Sequence, residues 1–334
     1  MPARWLPFLV LAGAVCIVST ASILIRLAQG EGASSLTIAT VRLALAALVL
    51  APLAWLRAGA EIRALKRPEL GLCLLSGAFL AAHFWSWITS LEHTSVASSA
   101  ALVTTNPLWV ALASAVLLRE RPAVAALAGI ALTLAGSILI FAADAGNGDA
   151  GGTAVFGNLL ALLGAVSASG YLLVGRALRA RISLLAYVWL AYSAAAILLA
   201  VALLASGAEV GGLSMPAWAF MALLALGPQL LGHTSFNWAL RRLTATFVAV
   251  AILGEPVGSA ILAWIILNEA FTPIQLAGFV LLLAGIFVAA RGEGGKDRTH
   301  DCGLRTQDSG LGSRDSGLGT RDSGLREDHN PPHR

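Results

Sequence analysis

The chain repeats itself at a constant offset. Pro107 and Glu120 recur as Pro256 and Glu269, with the same spacing of 13 residues. The run Leu127-Ala128-Gly129 to Leu134-Ala135-Gly136 returns 149 residues later as Leu276-Ala277-Gly278 to Leu283-Ala284-Gly285. Two different helical signatures in step at one offset imply an internal duplication, which constrains the architecture before any local structure is considered. Gly13-Ala14-Val15 and Gly164-Ala165-Val166 extend the likeness toward the start of each copy.

What surrounds the two copies follows from polarity. With 57% hydrophobic and 12% charged residues and a mean hydropathy of +0.79, too little polar surface exists for a water-soluble fold of this length. A membrane-spanning helix needs about 20 mostly apolar residues. Ten such stretches precede Arg291, at roughly 6–27, 35–56, 70–90, 95–118, 122–143, 155–175, 183–205, 216–240, 243–267 and 272–290. The first, with Arg4 ahead of it, has the form of a secretory signal peptide, but its likeness to the sixth predicts that it stays as a span.

Basic residues orient the bundle, because Lys and Arg in short loops are retained in the cytoplasm. Alternate loops carry Arg57, Arg63, Lys66 and Arg67, then Arg119 and Arg121, then Arg176, Arg179 and Arg181, then Arg241 and Arg242. The opposite loops have Glu31, Glu92, Asp144, Asp149, Glu209 and Glu269 and no basic residue. The predicted fold is an all-α integral membrane protein of ten transmembrane helices with both termini cytoplasmic. Five spans per copy is an odd number, so the halves, 6–143 and 155–291, enter the membrane in opposite senses. Inverted repeats of this kind give secondary transporters two equivalent arrangements around a midplane site, which is the basis of alternating access.

In its motifs the chain resembles the EamA-type transporters of the drug/metabolite transporter superfamily, over residues of about 11 to 290. The resemblance rests on Arg42, Asn106-Pro107 with Arg119-Glu120-Arg121, Glu255-Pro256 with Asn268-Glu269, and the two Leu-Ala-Gly helices. It implies a ten-helix, two-repeat carrier of small organic solutes in the cell membrane, often an exporter, and does not imply a particular substrate among amino acids, other metabolites and drugs.

Charged groups inside a bilayer cost about 2.5–3.5 kcal/mol each on insertion scales, so the few present need a reason. Glu255 precedes Pro256 near the middle of span nine, aligned with Asn106 before Pro107. Each proline removes a helix hydrogen bond, and Glu255 is expected to face a central cavity and bind substrate or a proton; the alternative is a packing group at a kink. Arg42 lies about two turns into span two. Arginine keeps its charge, so it either pairs with a carboxylate, carbonyls or an anionic substrate, or snorkels to the surface. The second copy has Ala191 and Tyr192 at that position. His83 and Trp85 of span three, and Gln229, His233 and Asn237 of span eight, are candidate cavity residues for cation–π contact and proton movement. Trp87 and Trp238, near span ends, suit interfacial anchoring. Gly227-Pro228 is expected to break span eight. Glu120 and Glu269 read as structural, capping or gating groups, and the paired glycines as close packing in lipid.

No phosphate-binding glycine loop and no metal-spaced His and Cys cluster occurs in the sequence, so no cofactor, no metal and no enzymatic role is expected. The expected partners are a small-molecule substrate and the bilayer, with protons and a second copy of the chain as candidates, and no nucleic acid. After Arg291 the sequence turns to Gly, Ser, Asp and Arg, with Asp-Ser-Gly-Leu at 308, 315 and 322. Residues 292–334 are predicted to be a disordered, low-complexity cytoplasmic tail. The functional expectation is a secondary exporter of small metabolites by alternating access, driven by proton exchange. An uncoupled facilitator or exchanger, or a non-transporting membrane scaffold, are the alternatives.

Overall fold

A computed structural model describes residues 5–117, 124–146, 151–179, 181–208, 211–239, 251–252 and 254–288. Arg119, Glu120, Arg121, Asp149, Glu209, Arg241, Arg242 and the tail at 292–334 lie outside the described residues, as does the side chain of Asn237. The described residues are nearly all helical: α1 (Leu6–Ser19), α2 (Ala21–Gly30), α3 (Ser35–Arg63), α4 (Arg67–His93), α5 (Val96–Val103), α6 (Asn106–Leu117), α7 (Val124–Ala145), α8 (Gly151–Arg179), α9 (Leu184–Ser206) and α10 (Met215–Leu224). A π-helical segment (Ala225–Gly232) joins α10 to α11 (His233–Ala239), and α12 (Gly254–Leu267) and α13 (Pro273–Val288) follow.

Among the described residues seven helical stretches are long and apolar enough to cross a bilayer, and α12 and α13 are shorter apolar helices. Leu56, Val124 and Leu204 are more than 80% exposed on the outer faces, which is costly in water and favourable against lipid tails. Serine starts four of the helices. Ser34, Ser95, Ser183 and Ser214 each accept the N–H three residues on, at 3.0–3.3 Å, satisfying a donor that a helix end otherwise leaves open.

Proline decides where the predicted spans depart from straight helices. The stretch predicted as one span over 95–118 is two helices, α5 and α6, parted at Thr104 and Thr105. Pro107 has no N–H for the carbonyl one turn back, and the two threonine hydroxyls turn inward instead. Thr104 Oγ1 donates to Ala100 O and Ala101 O, and Thr105 Oγ1 donates to Leu102 O at 2.7 Å. Pro228 does not end its helix as expected. It lies within the π-helical turn, where a wider i→i+5 ladder absorbs the missing donor and the chain runs on into α11.

The duplicated Leu-Ala-Gly runs meet each other. A Cβ on Gly136 would come within 2.6 Å of Leu282 N and Gly278 O, and a Cβ on Gly285 within 2.7 Å of Thr133 N and Gly129 O. Here α7 and α13 cross backbone to backbone, a contact that small residues alone permit.

One end of the bundle is tied by polar contacts. Ser35 Oγ donates to Glu92, Ser214 Oγ donates to Glu31 at 2.6 Å, and Gln29 Nε2 donates to Ile88 O at 2.9 Å. Beside them, buried Asp144 accepts from Asn158 Nδ2 at 2.6 Å and Gln275 Nε2 at 2.7 Å, and Thr94 Oγ1 donates to Asn158 Oδ1 at 2.8 Å. Replacing Asp144 with alanine strands two buried amide donors, and should destabilise the fold by about 1–3 kcal/mol, read as a lower thermal midpoint in detergent.

Candidate functional site

A cavity of about 300 Å³ lies between the helices. Its wall takes Arg42 from α3; His83, Phe84 and Trp87 from α4; Thr104 and Asn106 from the α5–α6 break; Tyr171 from α8; Tyr187 and Tyr192 from α9; Gln229 and His233 from the π segment and α11; and Glu255 from α12. Of the residues singled out in the sequence, Arg42, His83, Asn106, Gln229, His233 and Glu255 line this space together. Trp85 does not: it is 43% exposed on the opposite side of α4, while Trp87 is 4% exposed and faces the cavity. Two residues along a helix is about 200° of rotation, so one of the pair must look outward. Pro107, Pro228 and Pro256 each adjoin a wall residue, Asn106, Gln229 and Glu255.

Arg42 is 1% exposed, so it does not snorkel. Its Nε donates to Gln229 Oε1 at 2.7 Å, and its guanidinium carbon sits 4.0 Å from the Phe84 ring centroid and 5.7 Å from that of Trp87. Cation–π contact compensates part of the lost hydration. Among the described residues, Nη1 of Arg42 and Nε1 of Trp87 are buried without a hydrogen-bond partner. Of Ala191 and Tyr192, which stand opposite Arg42 in the second copy, Tyr192 reaches the same cavity.

His83 is held in place. Its Nδ1–H donates to Gly164 O at 2.9 Å, and its ring lies nearly parallel to Trp87, with centroids 6.0 Å apart. His233 packs edge-on to Phe236. Glu255 and Asn106 are anchored alike through their backbones. Ser19 Oγ donates to Val15 O at 2.8 Å and toward Glu255 O at 3.3 Å, and Ser169 Oγ donates to Ala165 O at 2.8 Å and to Asn106 O at 3.0 Å.

Arg42 and Glu255 share the cavity without pairing; among the described residues the single ion pair is Arg26 with Glu269, at 3.3 Å. Arg26 also donates to Leu91 O, and Glu269 Oε2 accepts from Val96 N at 2.8 Å, at the start of α5. Asn268, in the left-handed region at φ 55°, turns the chain so that Glu269 points back at these groups. Sequence reading noted Glu269 and passed over Arg26, which looks like the end of an apolar run. The signal was available in the charge itself, which falls within the first predicted span, 6–27.

Long apolar helices, a lipid-like outer surface and a solute-sized central cavity define a multi-pass membrane protein with a place for a small molecule. The chain belongs to the EamA-like transporter family, whose model matches it twice, at residues 5–142 and 155–291. It is 26% identical over 200 residues to the uncharacterized transporter YetK of Bacillus subtilis, a match spanning 59% of this chain and 61% of that protein. It is 28% identical over 271 residues to a protein of Streptantibioticus cattleyicolor named probable terminal-alkyne amino-acid exporter, spanning 80% of this chain and 86% of that one. A protein of known crystal structure shares its fold with a TM-score of 0.59 at 22% identity, covering 86% of this chain and 97% of the other.

Proposed function

We propose that the chain is a secondary transporter of the cell membrane that exports a small organic solute by alternating access, and is no enzyme. The observation that carries this reading is the cavity, to which Arg42, His83 and Asn106 contribute from the first half and Tyr192, Gln229 and Glu255 from the second. The halves, 6–143 and 155–291, act as inverted five-helix repeats in a ten-span bundle with both termini in the cytoplasm.

Paired contacts support that symmetry. The packing of α4 on α8 has its counterpart in the π segment on α1, and that of α5 on α8 in α12 on α1. The α3–α9, α5–α12 and α7–α13 contacts join equivalent helices to each other. The serine bonds to the carbonyls of Asn106 and Glu255 repeat the same relation.

The ties at the acidic end, including Arg26 with Glu269, and a cavity lining that takes in Gly175, Leu184 and Tyr187 toward the basic end support reading the arrangement as inward-directed. Glu255 is the coupling residue and proton exchange the drive, because a carboxyl group at that depth can gain or lose a charge where Gln cannot. The exporter named among the relatives supports outward transport of a metabolite.

Untargeted comparison of the solutes released by cells producing the wild type and Glu255→Gln, at matched membrane levels, tests the proposal. A solute enriched outside with the wild type, and released at least about fivefold less by the variant, is expected. Equal release by both would reject Glu255 as the coupling residue, and no released or exchanged solute in proteoliposomes would reject transport.

A further inference from the structure

Two N–H donors on residues that line the cavity have no hydrogen-bond partner among the described residues. Arg42 Nη1 and Trp87 Nε1 are both buried and both unpartnered, on adjacent side chains that line the same space. A buried donor without an acceptor is costly, and more so when it belongs to a charged group. In most folded chains such groups find protein partners, and here two nearby acceptors are taken and the carboxylate in the cavity is not paired. Gln229 Oε1 is taken by Arg42 Nε, Gly164 O by His83, and Glu255 forms no ion pair with Arg42.

We infer that these two donors form the head-group subsite for a monocarboxylate substrate, one oxygen accepting from Arg42 Nη1 and the other from Trp87 Nε1. The argument rests on the transporter reading only in taking the cavity as the substrate's site. Arginine's planar fork suits a carboxylate, and the indole N–H is a donor that can do nothing but donate. The charge balance selects among ligands. A single guanidinium neutralises one negative charge, and Glu255 in the same cavity opposes a second. A neutral solute would leave Nη1 and its charge unmatched, and a cation would meet Arg42 directly. Phe84, Tyr171, Tyr187 and Phe236 supply an aromatic wall for an apolar body.

The subsite belongs to one half alone. At the equivalent place the second copy offers Ala191 and Tyr192, so the duplicated scaffold holds its anion site off the symmetry axis.

The test uses the full chain purified in detergent and a graded set of aliphatic and aromatic monocarboxylates, from acetate to 3-phenylpropanoate, each paired with its neutral primary amide. Binding is read from thermal stabilisation and from dissociation constants. At least one acid should bind about tenfold or more tightly than its amide; Trp87→Phe should weaken that acid about three- to tenfold, and Arg42→Gln about 10- to 100-fold. Amides binding as well as acids, no acid binding, or acid binding indifferent to both substitutions would overturn the inference. Should Arg42→Gln fail to fold, Trp87→Phe and the acid–amide comparison still decide it. Counterflow of the tightest acid in proteoliposomes separates the two readings. Arg42-dependent binding without counterflow leaves the subsite standing and removes transport, whereas counterflow of neutral or cationic solutes with no acid bound leaves transport standing and removes the subsite.

Discussion

Gly136→Ala and Gly285→Ala should each deplete folded protein from the membrane. The added methyl on residue 136 would sit 2.5 Å from Leu282 N, and that on residue 285 would sit 2.5 Å from Thr133 N. These are main-chain atoms, which cannot rotate away as a side-chain tip can. Overpacking a tight contact costs about 1–3 kcal/mol, with the upper part of the range expected where backbone must move. Combined, the two changes act on one crossing and will not be additive. Gly13→Ala is the control, because nothing lies within 4 Å of the Cβ it would add, and alanine favours a helix by up to about 1 kcal/mol over glycine. Monodisperse yield and thermal midpoint in detergent measure the effect. Equal midpoints for the 136, 285 and 13 variants would show that α7 and α13 do not cross as closely as described.

Gln229→Glu should keep the fold and remove the site. The carboxylate is nearly the same shape as the amide, can accept from Arg42 Nε in place of Gln229 Oε1, now 2.7 Å away, and brings a negative charge to a guanidinium that has no ionic partner. The thermal midpoint should stay level or rise. An anionic ligand would then meet a neutral pair in place of a cation, and its affinity should fall about 100-fold, on the order of 2.7 kcal/mol. Gln229→Leu makes the opposite trade: it leaves Arg42 charged while withdrawing its acceptor, and should destabilise the fold by about 1–3 kcal/mol. The pair distinguishes a structural glutamine from one that sets the charge of the cavity. If Gln229→Glu bound a monocarboxylate as tightly as the wild type, Arg42 could not be its anchor.

The apolar stretches and the duplication were open to reading because both are written in spacing along the chain, and the glycines of α7 and α13 were legible as packing residues for the same reason. Which face of each helix turns inward was not. In lipid a helix is apolar all round, so Trp85 and Trp87 look alike until α8 and α3 are in place, and the outward choice fell on the wrong side of a 200° rotation. Pro228 was visible as an irregularity, but a π turn and a break look the same in sequence, because the difference lies in which carbonyl the next N–H finds. Arg42 was legible as a charge needing a reason; that its partner is an amide from the other half depends on the α3 contact with the π segment, which no local pattern carries. Arg26 escaped notice because its acceptor, Glu269, is 243 residues away.

The crossing of α7 and α13 also limits how the bundle can move. Helices that touch through side chains can slip past one another by exchanging rotamers, and the contact of Gly232 in the π segment with the Val18 side chain of α1 is of that kind. Two backbones in direct contact have no rotamers to exchange. A rearrangement of the bundle that kept the fold would therefore have to leave this pair in register, and on the transport reading proposed above the far pair of duplicated helices would be the fulcrum about which the remaining helices turn.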